Sequence, residues 1–429
     1  MSKMLAMLSN SLNKLKDKGF FHIFGSSTIN KIIGFASTWV IVRIVSKPEY
    51  GAYSYAHNLY SFFLILSGMG IMSAFLQLGS ETTNEGEKDR LYRFSMRFGL
   101  VVNTFLALLI ICIGLFVPMR FENAGYLLTL TAGLPVVVLV NELQLTYLRI
   151  NTRNIEYSTI NTLNSILIFV LSCVFAYFLK SPGLILAAYI AHIVSIVIAN
   201  KKYGIAISLS NCSLPRETRK SLFSIASISM VNNGLSKLMY LLDIFVLGYV
   251  VVDSGVIASY KIATNIPTAL QFIPQAIMVF LYPYFARNKD NREWLLKNYK
   301  RLILSFGLFN LAVSFMMFVF AKPIIFIFFG EQYLDALVPF RILSCSYFFS
   351  ATFRSIAGNL LITQRKLKFN LFVSVFASAM NTILNIFMIR AWESNGAALA
   401  TLITIFVSGL ISTCYLIYVF KSKKKKELS

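Results

Sequence analysis

Apolar blocks of about 20 residues or more recur from one end of this 429-residue chain to the other. One helix needs about 20 such residues to cross a bilayer core, and within that core only helices or closed barrels satisfy the backbone. The blocks are continuous rather than alternating, so they read as helices. Crossing segments are expected at about 20–45, 52–79, 94–117, 126–149, 157–179, 183–200, 221–250, 256–285, 301–321, 335–362, 369–389 and 396–420. The expected fold is therefore an all-α integral membrane protein of about 12 transmembrane helices. The first block has no small-residue cleavage site and reads as a retained helix rather than a signal peptide.

The charges test this topology. Hydrophobic residues make up 57% of the chain and charged residues 14%, yet the net charge is +22. If both termini are cytoplasmic, 28 of the 40 Lys and Arg fall in the N-terminus and the segments 80–93, 149–156, 200–220, 286–301, 363–368 and 421–429. The outer loops hold five: Lys47, Arg120, Lys180, Lys322 and Arg390. Such asymmetry is the positive-inside signature of a multi-pass protein in a bacterial inner membrane. The basic residues then face an anionic leaflet, and no nucleic-acid partner is needed to explain them.

The longest loop, 201–220, is basic and separates six expected helices (1–200) from six more (221–429, ending in a basic cytoplasmic tail). A weak repeat supports the division. Lys31 precedes Ser54-Tyr55 by nearly the interval at which Lys237 precedes Ser259-Tyr260. Internal repeats are a transporter signature.

Seven basic residues lie within spans: Lys31, Arg43, Arg97, Lys237, Lys261, Arg341 and Arg354. Arg43 and Arg97 are near enough to helix ends to snorkel. The other five would each cost about 2.5–3.5 kcal/mol facing lipid, roughly 15 kcal/mol together. They must meet protein or water. Two acids accompany them, Asp243 and Glu142. Glu142 and Arg149 share a helix face and form a candidate pair, and Asp243 can pair with one base. The surplus of positive charge leaves two readings: satisfied structural charges, or a cationic, water-filled cavity for an anionic substrate. Lys261, Asn265, Thr268 and Gln275 share one helical face that Pro267 and Pro274 interrupt. Asn232-Asn233-Gly234 is a candidate unwinding point before Lys237, and Asn30 and Gly34 flank Lys31. Asn and Gly are also ordinary packing residues in membrane helices.

The five cysteines form no CxxC and read as small buried residues, without a disulfide or metal site. His22, His57 and His192 form no ligand cluster and read as satisfied or interfacial. No nucleotide-binding or hydrolase motif occurs, so neither a catalytic residue nor an ATP site is expected. A proton or Na+ is the coupling ion that Asp243 or Glu142 would carry.

Several stretches resemble the polysaccharide flippases (Wzx type) of the multidrug/oligosaccharidyl-lipid/polysaccharide exporter superfamily. They are SKPEYGAYSYAHNLYSFFLILSGMGIMSAFLQLGS entering the second helix and YLLDIFVLGYV with Asp243, Leu247 and Gly248. FGEQYLDALVPFRILSC at 329–345, NTILN at 381–385 and NGAALAT at 395–401 complete the set. The resemblance implies two six-helix lobes around a central basic cavity and alternating access. It implies an undecaprenyl-diphosphate-linked oligosaccharide, such as an O-antigen repeat unit, as substrate, with polysaccharide polymerase and chain-length machinery as partners. A lipid II flippase, a cation-coupled drug antiporter and a membrane oligosaccharide polymerase or transferase are the competing readings. An antiporter for cations should have an acidic cavity, and an enzyme should have catalytic groups in accessible loops. The sequence shows neither.

Overall fold

A computed structural model describes residues 20–121, 123–208 and 213–422. Lys3, Lys14, Lys16, Lys18, Glu122, Cys212 and the tail 423–429 lie outside the described residues, as do the side chains of His22 and Asn232. The described residues form helices joined by short turns, with no strand among them. In order these are α1 (Phe20–Ile44), α2 (Lys47–Phe63), α3 (Ile71–Glu81), α4 (Glu85–Phe116), α5 (Ala124–Leu130), α6 (Leu134–Ile150), α7 (Asn154–Lys201) and α8 (Arg216–Val250). Then follow α9 (Ser254–Ala269), α10 (Phe272–Arg287), α11 (Arg292–Val319), α12 (Ala321–Phe329), α13 (Leu337–Phe349), α14 (Ser355–Thr363) and α15 (Leu367–Ser422).

Seven helical runs are long and apolar enough to cross a membrane, counting α7 and α15 once each. Both of those fold back at a corner and supply two passes. With α1, α8 and the broken α9–α10 pair, the described residues give about twelve crossings, close to the expected spans. Large apolar residues are exposed along these helices, as Phe105, Leu108 and Leu109 on α4 and Leu304, Leu308 and Phe315 on α11 illustrate. A water-soluble helix would present polar groups there; these faces suit acyl chains.

The chain forms two compact units, 1–46 with 59–234 and 47–58 with 235–429. This division differs from the expected lobes 1–200 and 221–429, and close backbone approaches explain why. In the first unit, a Cβ at Gly70 would lie 2.2 Å from the Ala226 carbonyl oxygen and one at Gly234 2.7 Å from Ile65. The start of α8 is thereby fixed to the first unit. In the second unit, a Cβ at Gly51 would lie 1.9 Å from the Ser254 oxygen, and Tyr55 packs where Gly248 has no side chain. Lys47 adds an ion pair to Asp335 at 2.6 Å.

The first unit's core includes Ile71, Phe75, Met96, Leu143, Leu148 and Ile160. Its α2–α3 run breaks at Ser67–Gly70, where Gly68, Met69 and Gly70 take positive φ. A break within a membrane needs new partners for its backbone. Asn103 of α4 supplies them: it accepts from the Gly68 N–H at 2.8 Å and donates to Ser67 Oγ at 3.0 Å and the Pro135 carbonyl at 2.6 Å. The second unit's core includes Leu295, Phe306, Ile356, Leu360, Leu416 and Phe420. There Asn310 of α11 donates to Thr352 at 3.1 Å, inside the π-turn Ser350–Arg354, and accepts from Tyr347 at 3.2 Å.

The repeat that the sequence shows faintly extends through these features. Asn84 and Asn291 cap α4 and α11, each side chain accepting from a first-turn N–H. Asn103 and Asn310 lie at the same distance, nineteen residues, beyond those caps. Thr152 and Arg365, with φ of 57° and 59°, end the next pair of equivalent helices. Finally Lys180 (φ 55°, ψ −132°) and Glu393 (φ 46°, ψ −123°) form the corners of α7 and α15.

The helix α8 runs unbroken through Asn232-Asn233-Gly234, so the expected unwinding there does not occur. Gly234 is a packing glycine against Ile65. The breaks lie instead at 67–70, 180, 270–271, 350–354 and 392–393.

Candidate functional site

Asp243 is the buried acid of the second unit, 3% exposed on α8. The sequence expected a base as its partner. Instead three neutral donors from three other passes converge on it. Tyr260 of α9 donates to Oδ2 at 2.8 Å, Thr401 of α15 donates to Oδ2 at 2.7 Å, and Asn385 of α15 donates to Oδ1 at 2.7 Å. Asn385 also donates to Asn381 Oδ1 at 3.0 Å. No ion pair to Asp243 exists among the described residues. Each of these hydrogen bonds is stronger with the ionised carboxylate as acceptor than with the neutral acid.

Beside this cluster a cavity of about 140 Å3 opens, lined by Asp243, Tyr260, Lys261, Thr268, Tyr347 and Thr401, with Thr264, Gln271, Ser346 and Ser350 adding polar wall. Lys261 forms no ion pair among the described residues. Of the face expected on α9, Lys261 and Thr268 line this cavity. Asn265 and Gln275 do not; Thr264 and Gln271 take their places. The cause is the break at 270–271, which ends α9 one turn past Pro267 and starts α10 on a new axis, carrying Gln275 away.

The other expected bases are not among the residues lining this cavity. Arg341 places its guanidinium 5.4 Å from the Phe318 ring and donates to the Phe318 carbonyl at 3.3 Å. It caps the C-terminal end of α11, where a cation meets unsatisfied carbonyls and the negative end of the helix dipole. Arg354 sits in the π-turn, its Cβ against Gly409, and is half-buried. Lys237 is exposed on α8 within the second unit. Lys31 is exposed on α1 within the first unit, beside the half-buried Asn30. Asn233 is exposed.

Glu142, half-buried on α6, forms no ion pair with Arg149. The guanidinium of Arg149 lies 5.4 Å from the Tyr157 ring instead. Two helical turns separate the two residues by roughly 10 Å of rise, and the aromatic face is nearer.

Reasoning from the sequence missed Tyr260, Asn381, Asn385 and Thr401 as partners of Asp243. The motifs NTILN and NGAALAT contain three of them, and that was the available signal. It also missed Asp335, which accepts from Ser259 as well as Lys47. Among the described residues no group of His, Cys, Asp and Glu is placed to hold a metal. The oxygens around Asp243 are hard donors: its carboxylate, Thr401 Oγ1 and the amide oxygens of Asn381 and Asn385. Asn385 Oδ1 is buried without a hydrogen bond, and amide orientation can turn it toward the acid.

The fold and the site define a polytopic all-α membrane protein with a polar cavity among its helices. The chain belongs to the polysaccharide biosynthesis protein family, whose model matches residues 40–338. A relative in Klebsiella pneumoniae, an uncharacterized membrane protein in the cps region, is 23% identical over 401 residues, covering 90% of this chain and 79% of that protein. The fold is that of the MOP superfamily. An inward-facing multidrug resistance MATE family transporter superposes with a TM-score of 0.77 at 14% identity, covering 93% of this chain and 96% of that one. The lipid II flippase MurJ, inward closed, gives 0.73 at 18% identity, covering 93% and 87%.

Proposed function

We propose that this protein is a flippase that moves an undecaprenyl-diphosphate-linked oligosaccharide from the cytoplasmic to the periplasmic leaflet of the inner membrane by alternating access, without chemistry on the substrate. The observation that carries the reading is Lys261: a cation on the polar wall of a membrane-embedded cavity, with no ion pair among the described residues. A diphosphate carries about two negative charges, and bringing them into hydrocarbon is prohibitive. A fixed cation in a wet cavity offsets that cost, and an ammonium acts as a point charge that can let its ligand go. Lys31 and Lys237, exposed on their helices, are the further cations we assign to the route.

The family match and the relative in a cps region support a saccharide cargo. An antiporter for organic cations is disfavoured because the cavity wall carries a lysine with no ion pair among the described residues, which repels such a cargo. We assign Asp243 the coupling ion, H+ or Na+. Polysaccharide polymerase and chain-length machinery are the partners this role implies.

The test is saccharide export in cells lacking the native flippase. Lys261→Gln should cut export at least tenfold at unchanged membrane level, and Lys261→Arg should keep part of it. Full export by Lys261→Gln would remove the cationic-cavity mechanism.

A further inference from the structure

Residues 47–58 of α2 pack into the second unit, yet one strip of that segment stays open. Gly51, Ala52, Ser54, Tyr55, Ala56 and Asn58 are buried, whereas Tyr53 is half-buried and His57 exposed. A strip facing acyl chains would be aliphatic or aromatic without polar atoms, as on α4. This one carries a tyrosine and a histidine one turn apart, their rings stacked at 5.7 Å and 20°. Polar and ionisable groups at membrane depth face water-filled space or protein.

The register of the two helices fixes what lies beside this strip. Gly51 touches the Ser254 backbone, and Ser254 Oγ donates to the Pro48 carbonyl at 2.8 Å. The N-terminal ends of α2 and α9 are therefore side by side. His57 lies six residues beyond Gly51, and Lys261 lies seven beyond Ser254. Helix rise carries them roughly 9 and 10 Å from the shared contact, to one depth. An ammonium and an imidazole are thus placed at one depth on neighbouring helices within one unit.

We infer that His57 and Lys261 together form an anion subsite that takes a diphosphate, with Tyr53 as the residue that positions the imidazole. A diphosphate has two phosphoryl groups for two donors on separate helices; a monophosphate can engage one of them well. The ammonium supplies charge, and the imidazole supplies a directed N–H donor whose plane the Tyr53 ring sets. The subsite rests on the flippase reading and deepens it. It makes His57, an ordinary interfacial histidine by sequence, a determinant of selectivity for diphosphate over monophosphate carriers.

The experiment uses the full chain purified in detergent, with farnesyl diphosphate, farnesyl phosphate and inorganic diphosphate as probes. Wild type should bind farnesyl diphosphate at least about tenfold tighter than farnesyl phosphate, the scale of one charge-assisted hydrogen bond. Inorganic diphosphate should compete with it. Failure to compete would mean that the prenyl chain carries binding, and would overturn the subsite. His57→Gln should weaken farnesyl diphosphate about tenfold and farnesyl phosphate less than threefold; His57→Arg should restore the preference. Tyr53→Leu should lower the same ratio, and Tyr53→Phe should keep it. If His57→Gln does not fold, a wild-type ratio in His57→Arg supports the subsite and a ratio near one overturns it. An unchanged ratio in His57→Gln, with binding lost in Lys261→Gln, overturns the subsite and leaves the flippase reading standing. Unchanged binding in both variants overturns both.

Discussion

Asp243 shows how a carboxyl group can be kept among membrane helices without a salt bridge among the described residues. Tyr260, Thr401 and Asn385 each donate to it, and each comes from a different pass. Removing the charge while keeping the shape separates structure from coupling. In Asp243→Asn the new amide oxygen can still accept from Tyr260 and Thr401. Its amide nitrogen would meet the Asn385 amide, which can turn to present the oxygen that now lacks a partner. The fold should survive with a loss of about 1–3 kcal/mol, whereas Asp243→Leu orphans three buried donors and should not accumulate. Were Na+ the coupling ion, wild type should melt higher in NaCl than in choline chloride, by the stabilisation that any ligand of the native state confers. Asp243→Asn should lose that difference. Equal melting of wild type in both salts assigns coupling to the proton, and wild-type transport by Asp243→Asn removes the ionic role. The acid itself was legible in the sequence, because a carboxylate in an apolar block is conspicuous. Its partners were not, since they lie 142 and 158 residues away for Asn385 and Thr401 and depend on how four helices are registered.

The corners of α7 and α15 are the element where the repeat is most fully written in the backbone. Lys180-Ser181-Pro182-Gly183 and Glu393-Ser394-Asn395-Gly396 each begin with a residue at positive φ and ψ near −130°, the first central position of a type II′ turn, where glycine is the natural occupant. In each, a glycine follows three residues later. A Cβ at Gly183 would lie 2.2 Å from the Phe175 carbonyl oxygen, and one at Gly396 2.0 Å from that of Met388, each eight residues earlier. Lys180→Gly and Glu393→Gly should therefore raise the melting temperature, by relief of strain worth on the order of 1–3 kcal/mol each. Gly183→Val and Gly396→Val should lower it or prevent accumulation, because the clash is with backbone that cannot move aside. Thermal melting of the four variants in detergent decides this. A stabilised Gly396→Val would show that the corner is not closed in this way. The sequence signalled both turns through Pro, Gly and Asn. That Lys and Glu hold the strained position could not be read, since neither favours it.

At the scale of the whole molecule, charge and hydropathy agree on one threading. The spans were readable because lipid demands about 20 apolar residues per pass, a constraint strong enough to override local propensity. The break points were less so: α8 stays helical through Asn232-Asn233-Gly234, and the chain unwinds at Ser67–Gly70, where Asn103 pays for it from another helix. Of five bases read as one cavity, Lys261 lines the cavity of the second unit and Arg341 caps a helix. Charge alone could not separate a cavity-lining lysine from a capping arginine. The threading itself makes a sharp prediction. The turns after α3, α6, α7, α10 and α14 lie in segments that hold 19 of the 40 Lys and Arg, and the turns before α2, α9 and at the two corners hold few. An orientation follows, with the basic turns facing the cytoplasm. Reporter fusions at Lys289 and at the C-terminus should be active as cytoplasmic reporters, and fusions at Asp253 and Glu331 as periplasmic ones. Because each pass inverts the next, a periplasmic signal at Lys289 together with a cytoplasmic one at Asp253 would invert the whole molecule. It would also place the proposed diphosphate route in the wrong direction for export.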